Sequence, residues 1–207
     1  MKNRIPIKTH ILGPEDNIVD VIKKYAKDKI DKDTIVVIAE SPLAITQGRF
    51  FYPDYIKIGY FAKRLCLFFP QIGSLASPFA MQLLINEVGL FRVLASFVIG
   101  SLLKVFGKKG IFYKLCGKQS ALIDDTAGTI QPYDKVIVMG PKDPDKTADE
   151  ISQSLGGVRV AIVDANDLGV AWVVGCSKGV DSKEVENIMK DNPAGNADEQ
   201  TPIILIK

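Results

Sequence analysis

From Thr34 to Ala39 the chain reads TIVVIA, an unbroken apolar and largely β-branched run. That is the pattern of a strand covered on both faces. Ahead of it, Ile18, Val21, Ile22, Tyr25 and Ala26 recur at helical spacing behind Pro14-Glu15-Asp16, a helix start. The opening therefore predicts strand, helix, strand. Ala44 to Phe51 reads as a further strand that turns at Gly48.

The pattern changes from Tyr52 to Lys118. Pro53, Pro70 and Pro78 cut the early part into short pieces. Two apolar helices are predicted next, Pro78 to Val88 and Phe91 to Phe106. Gly107-Lys108-Lys109-Gly110 ends the second, because glycine supplies the left-handed turn and lysines suit the helix dipole. Phe61, Leu65, Cys66, Phe68 and Phe69 form a stripe whose expected place is a core.

Alternation returns in the last third. Lys135 to Met139 predicts a strand, and Gly140 to Asp145 a loop. Thr147 to Glu150 has the T-x-x-E form of a capping box, for a helix stopping near Gly156-Gly157. Arg159 to Val163 and Val170 to Val174 read as strands around a polar turn. Asp181-Ser182-Lys183-Glu184 caps another helix that Pro193 closes, and Pro202 to Lys207 is strand-like. The organisation expected is an α+β domain with mixed sheets and a helical insertion. Its parts are residues 1–51 and 119–207 of the main domain, with 52–118 as insertion or subdomain.

Composition narrows the class. With 207 residues, 47% hydrophobic and 24% charged, the chain can bury a real core. A net charge of +2 gives no overall bias towards nucleic acid, so none is expected as a partner. Cys66, Cys116 and Cys176 lack ligand-like spacing, which fits buried thiols in a reducing compartment. The single His10 excludes a histidine-rich zinc site. MKNRIPIKTH lacks a secretory apolar stretch, so the expected location is the cytoplasm. Phe79 to Phe106 is strongly apolar but contains Glu87, Arg92 and Lys104. A spanning helix needs about 20 apolar residues, so core or partner-facing helices are expected there. Membrane contact is not the leading expectation, though contact with a membrane surface stays open.

Chemistry could sit in three polar clusters at the ends of apolar strands: Ile123 to Thr129, Val163 to Asp167, and Asn192 to Gln200. Loops at strand ends are where a rigid scaffold holds ligands. Carboxylates drawn from separate loops suit hard cations such as magnesium or manganese. Asp, Asn and Gly also dominate turns for backbone reasons alone. Neither a P-loop nor a G-x-G-x-x-G fingerprint occurs. Ser41 and the Gln47-Gly48-Arg49 turn follow the first buried strand, and Arg49 could grip an anion or simply be solvated.

The order of these segments resembles the coenzyme F-420-0:L-glutamate ligase (F-420 gamma-glutamyl ligase) family. The resemblance runs through Asp33 to Ala39 leading into Gln47-Gly48-Arg49, then Leu122-Ile123-Asp124, Pro141 to Asp145 and Val160 to Asn166. It ends at the Gly195 to Pro202 turn, covering roughly Lys8 to Phe51 and Ser120 to Lys207. It implies an F-420 gamma-glutamyl ligase-like α+β fold, a homodimer, and a role in coenzyme F-420 biosynthesis. The activity implied joins L-glutamate to a small-molecule acceptor by a gamma-linked amide, with GTP as co-substrate and a divalent metal (Mg or Mn). Carried over by position, Asp124, Asp164 and Glu199 are the implied metal ligands. Ser41, Gln47, Arg49, Asn166, Asn196 and Asp198 are the implied nucleotide-binding residues. The family's lysine ahead of the Gly-Arg turn is Ile45 here, and its Asp-Thr pair is Asp164-Ala165. These changes leave a second reading open, a non-catalytic relative that binds a small molecule or a partner.

Overall fold

The computed structural model describes residues 3–71, 73–124, 130–166, 168–195 and 199–207. In chain order the elements are β1 (Arg4–Ile7), α1 (Ile18–Ala26), β2 (Ile35–Ala39), α2 (Glu40–Thr46) and β3 (Phe50–Phe51). Four helices follow, α3 (Tyr60–Leu65), α4 (Pro78–Val88), α5 (Leu90–Val105) and α6 (Ile111–Cys116). The rest are β4 (Ile137–Val138), α7 (Pro144–Ser154), β5 (Arg159–Asn166), β6 (Val170–Cys176), α8 (Ser182–Met189) and β7 (Ile203–Ile206). The architecture is mixed helix and sheet, as an α+β class requires. Two compact units form, Met1–Arg49 with Pro141–Lys207, and Phe50–Gly140.

The first unit is built on a five-stranded sheet in the order β1-β7-β2-β5-β6. β2 and β5 run parallel, and β7 lies antiparallel to both β1 and β2. Every residue from Ile35 to Ile38 is buried, which is why this stretch has no polar alternation. On one face Ile35, Val37, Ala161, Val163, Ile204 and Ile206 pack with Val185 and Met189 of α8. Each such aliphatic side chain contributes about 1.5–3 kcal/mol by leaving water. α1 starts where expected, with Asn17 accepting from the N–H groups of Val19 and Asp20, and it buries Ile18, Val21, Ile22 and Ala26. The Asp181 cap of α8 likewise accepts from Lys183 and Glu184.

β6 is an edge strand, and unpaired edge N–H groups invite mispairing. Here acidic side chains take several of them. Glu186 of α8 accepts from Val173 N–H at 3.1 Å, Asp145 of α7 from Cys176 N–H at 3.2 Å, and Asp149 from Lys178 N–H at 3.2 Å. α7 lies so close that a Cβ on Gly175 would stand 2.4 Å from the Pro144 carbonyl carbon.

Three expectations are corrected here. Ala44 to Phe51 is not one strand: α2 occupies Glu40–Thr46 and only Phe50–Phe51 is extended. Pro42 falls in the first turn of α2, where a helix tolerates it, and Gly48 at φ +68° ends the helix with its N–H on the Ile45 carbonyl at 2.8 Å. Thr147 is not a cap either. Pro144 opens α7 behind Asp143, and the Thr147 hydroxyl donates back to the Lys142 carbonyl at 2.8 Å. Pro193 also lies beyond the end of α8, which stops at Met189.

The second unit holds α3 to α6 and the small β3–β4 pair. Its core joins Ala62, Leu65, Cys66, Met81, Leu84, Val93, Phe112 and Cys116. Ser77 caps α4 ahead of Pro78, and Gly89 at φ +89° turns the chain between α4 and α5. These two helices match their expected bounds within a residue and meet at a 112° bend. No single described helix is long and apolar enough to cross a membrane. The aromatic stripe is only partly core. Leu65 and Cys66 are buried and Phe69 rests on Phe112, but Phe61 and Phe68 face solvent. Cys176 is half-buried rather than buried, unlike Cys66 and Cys116.

Candidate functional site

In the first unit, strand register gathers the site at one end of the sheet. Ala39, the last residue of β2, is the parallel partner of Val163, and Ile38 is the partner of Ile203. Ile203 also faces Ile7, the last residue of β1. The exits of β1 and β2, the Asp164 position of β5 and the entry to β7 therefore share one end of the sheet. The segment before β7 is stitched there: Thr9 N–H donates to the Gln200 carbonyl and Ala39 N–H to the Pro202 carbonyl, both at 2.9 Å. In open sheets ligands collect at the carboxyl ends of parallel strands, because loops and helix starts converge there.

Asp164 follows Val163 directly and is the register partner of Trp172. Solvent reaches its side chain, yet the protein packed around it pushes its carboxyl above the ordinary value by desolvation. A carboxylate in this condition is a natural seat for a cation or a proton. Glu199 curls back over Gly195, whose φ is +72°, and a Cβ on Gly195 would stand 2.4 Å from the Glu199 carboxyl carbon. Thr201 Oγ donates to the Ala194 carbonyl at 2.5 Å and closes this loop.

At the β2–α2 junction, Ser41 Oγ donates to Glu40 Oε2 at 2.9 Å. Glu40 is 4% exposed and stands in the first turn of α2. Sequence reasoning missed it; the signal was an acid placed directly behind a fully buried strand. Gln47 Oε1 accepts from Lys142 N–H at 2.7 Å and pins the segment before α7 to the end of α2. The Gly48 turn sets Arg49, whose N–H donates to the Ala44 carbonyl at 2.9 Å. Asn166 Oδ1 accepts from Leu168 and Val170 N–H at 3.0 and 3.3 Å, so it shapes the β5–β6 turn. Ile45 is buried in the core.

Ser41, Gln47, Arg49, Asp164, Asn166 and Glu199 thus all belong to the first unit. Asp124 belongs to the second, bridged to Val138 by a backbone pair at 2.8 and 3.0 Å. Asn196 and Asp198 lie outside the described residues. Among the described residues no three His, Cys, Asp or Glu side chains form a metal-holding group.

The model of the F420-0:gamma-glutamyl ligase family matches residues 6–180. The chain belongs to that family. The match covers the helical middle that the sequence motifs covered only loosely and stops before α8, the Glu199 loop and β7. No curated protein matches this ligase-family chain.

Proposed function

We propose that this member of the family is a metal- and nucleotide-dependent ligase forming a gamma-glutamyl-type amide, with the family's fold and L-glutamate as the incoming amine. The observation that carries the reading is the gathering of Asp164, the Glu40-Ser41 junction and the Glu199 loop at one end of the sheet in a chain of this family. In the reaction, an acceptor carboxylate attacks the γ-phosphorus of GTP and GDP leaves. The amine of glutamate then attacks the acyl phosphate carbonyl, loses a proton, and expels inorganic phosphate. No nucleophilic side chain is needed. The protein's work is positioning and neutralising charge.

In this reading a hard cation would be held by carboxylate oxygens of Asp164 and Glu199, since magnesium commonly takes one or two carboxylates with the remaining positions filled by phosphate and water. Such an ion would supply positive charge that offsets that of the phosphates. Desolvation at Asp164 favours such a partner, since a nearby cation relieves the cost of the charged form. Arg49 is the group for phosphate, through its guanidinium, while Ser41 gives its hydroxyl proton to Glu40. The acceptor is a small molecule with a carboxylate, F-420-0 or another, and the setting is the cytoplasm.

The test is GDP release from GTP with manganese, L-glutamate and F-420-0, comparing the protein with Asp164→Asn. Metal-dependent turnover that the variant loses while remaining folded supports the ligase. Equal turnover in both sinks the assignment of Asp164.

One observation favours a second reading. Ile45 is closed into the core, so the family's lysine position offers nothing to a phosphate. A non-catalytic binder would show nucleotide binding with no GDP release.

A further inference from the structure

α5 has an exposed apolar face. Phe91, Ala95, Val98, Ile99, Leu102 and Phe106 recur at helical spacing and are all exposed, while Val93 and Ser96 on the opposite side are buried. Phe91 is 87% exposed, Val105 83% and Phe106 79%. An ordinary amphipathic helix places polar groups outward. A contiguous apolar surface on the outside marks a contact with something apolar.

Charge identifies the contact. Residues 57–118 carry nine Lys or Arg against a single acid, Glu87, and all nine basic side chains are exposed. The whole chain carries only +2, so the rest is net acidic and the positive charge is concentrated in this stretch of the chain. Lys104, Lys108 and Lys109 flank Val105 and Phe106 in sequence at the end of α5. A second copy of the same face would meet like charge. Apolar side chains flanked by lysines instead match an anionic lipid surface, where the rings and aliphatics enter the headgroup boundary and the lysines meet phosphates. α5 has 16 residues, about 24 Å at 1.5 Å per residue, too short for a bilayer core, so it lies on the surface and does not span.

We propose that the exposed face of α5 docks the protein on anionic membrane surfaces. The proposal is independent of the ligase reading and concerns only the second unit. The test is co-sedimentation of the full chain with phosphatidylcholine vesicles, with and without phosphatidylglycerol, at low and high salt. The expected result is pelleting with phosphatidylglycerol vesicles that high salt weakens. Replacing Leu102→Glu together with Phe106→Glu should return binding to that of a soluble control. The pair Lys108→Ala and Lys109→Ala should lower the vesicle partition about 25-fold, about fivefold per lysine at roughly 1 kcal/mol each. All four residues are exposed, and circular dichroism confirms that the variants fold. Equal binding to neutral vesicles, or binding untouched by the glutamate pair, overturns the proposal. So does a dimer that the glutamate pair dissolves in a protein that ignores vesicles, which would mean a second copy covers the face.

Discussion

Ala39 and Val163 are parallel register partners, so the residues that follow them, Glu40 and Asp164, occupy the same end of the sheet. The two positions are far apart in the chain, and the pairing of β2 with β5 is what makes them neighbours in the fold. Two acids therefore stand at one end of the sheet, and one of them carries a cost.

That cost is measurable at Asp164. Its folded-state pKa lies above the unfolded value, so the ionised form is penalised in the native state. The native state is therefore relieved when the group is protonated, and the penalty grows as pH rises through the raised pKa. Asp164→Asn is expected to raise the unfolding midpoint at neutral pH and to leave it unchanged in acid. Thermal unfolding across pH checks this. A lower midpoint at neutral pH would mean that Asp164 is held by a structural partner.

Gly175 is the place where α7 meets β6. A Cβ there would lie 2.4 Å from the Pro144 carbonyl carbon and 2.6 Å from the Asp145 nitrogen, both backbone atoms that cannot swing aside. Gly175→Ala must push the start of α7 off the sheet, and with it the carboxylates that satisfy the β6 edge. The expected loss is about 1–3 kcal/mol, the usual range for overpacking. Urea denaturation measures it, and a variant as stable as the parent contradicts the close packing.

Asp31 holds Lys207 in place. Lys207 Nζ donates to it at 2.7 Å and the Thr34 hydroxyl at 2.6 Å. The Lys207 hydrogen bond foremost, then that of Thr34, lowers its pKa to about 2. With the folded value below the unfolded one, its stabilisation is present above the ordinary carboxylate value and disappears as pH falls towards 2. NMR titration of the Asp31 carboxyl should give this low value, and Lys207→Ala should return it towards the ordinary one. An unchanged titration in the variant would remove Lys207 as the cause.

Much of the first unit was legible from local signals. β2 announced itself by an unbroken apolar run, α1 by its period, and α8 by the Asp181 cap. α2 was not, because seven residues give less than two turns of periodicity and the β-branched Ile45 and Thr46 imitate a strand. Thr147 misled because its capping-box spacing is real, while Pro144 three residues earlier already starts the helix. The polar residues after β5 and before β7 were visible, but their meeting at one end of the sheet was not. The order β1-β7-β2-β5-β6 depends on long-range pairing that no local pattern encodes. The local duties of Gln47 and Asn166, holding Lys142 and the β5–β6 turn, were equally hidden, since a spacing does not say whether a polar side chain faces its own backbone or a ligand.

The central claim is a site that binds metal and nucleotide together. The most direct measurement is thermal unfolding with and without manganese, each with GTP, ATP or neither. A ligand that binds only the native state at a hundredfold excess over its Kd adds about 2.7 kcal/mol of stability. The account predicts a rise in midpoint that requires manganese and GTP at once and vanishes in Asp164→Asn. A midpoint that no combination of metal and nucleotide moves would contradict it.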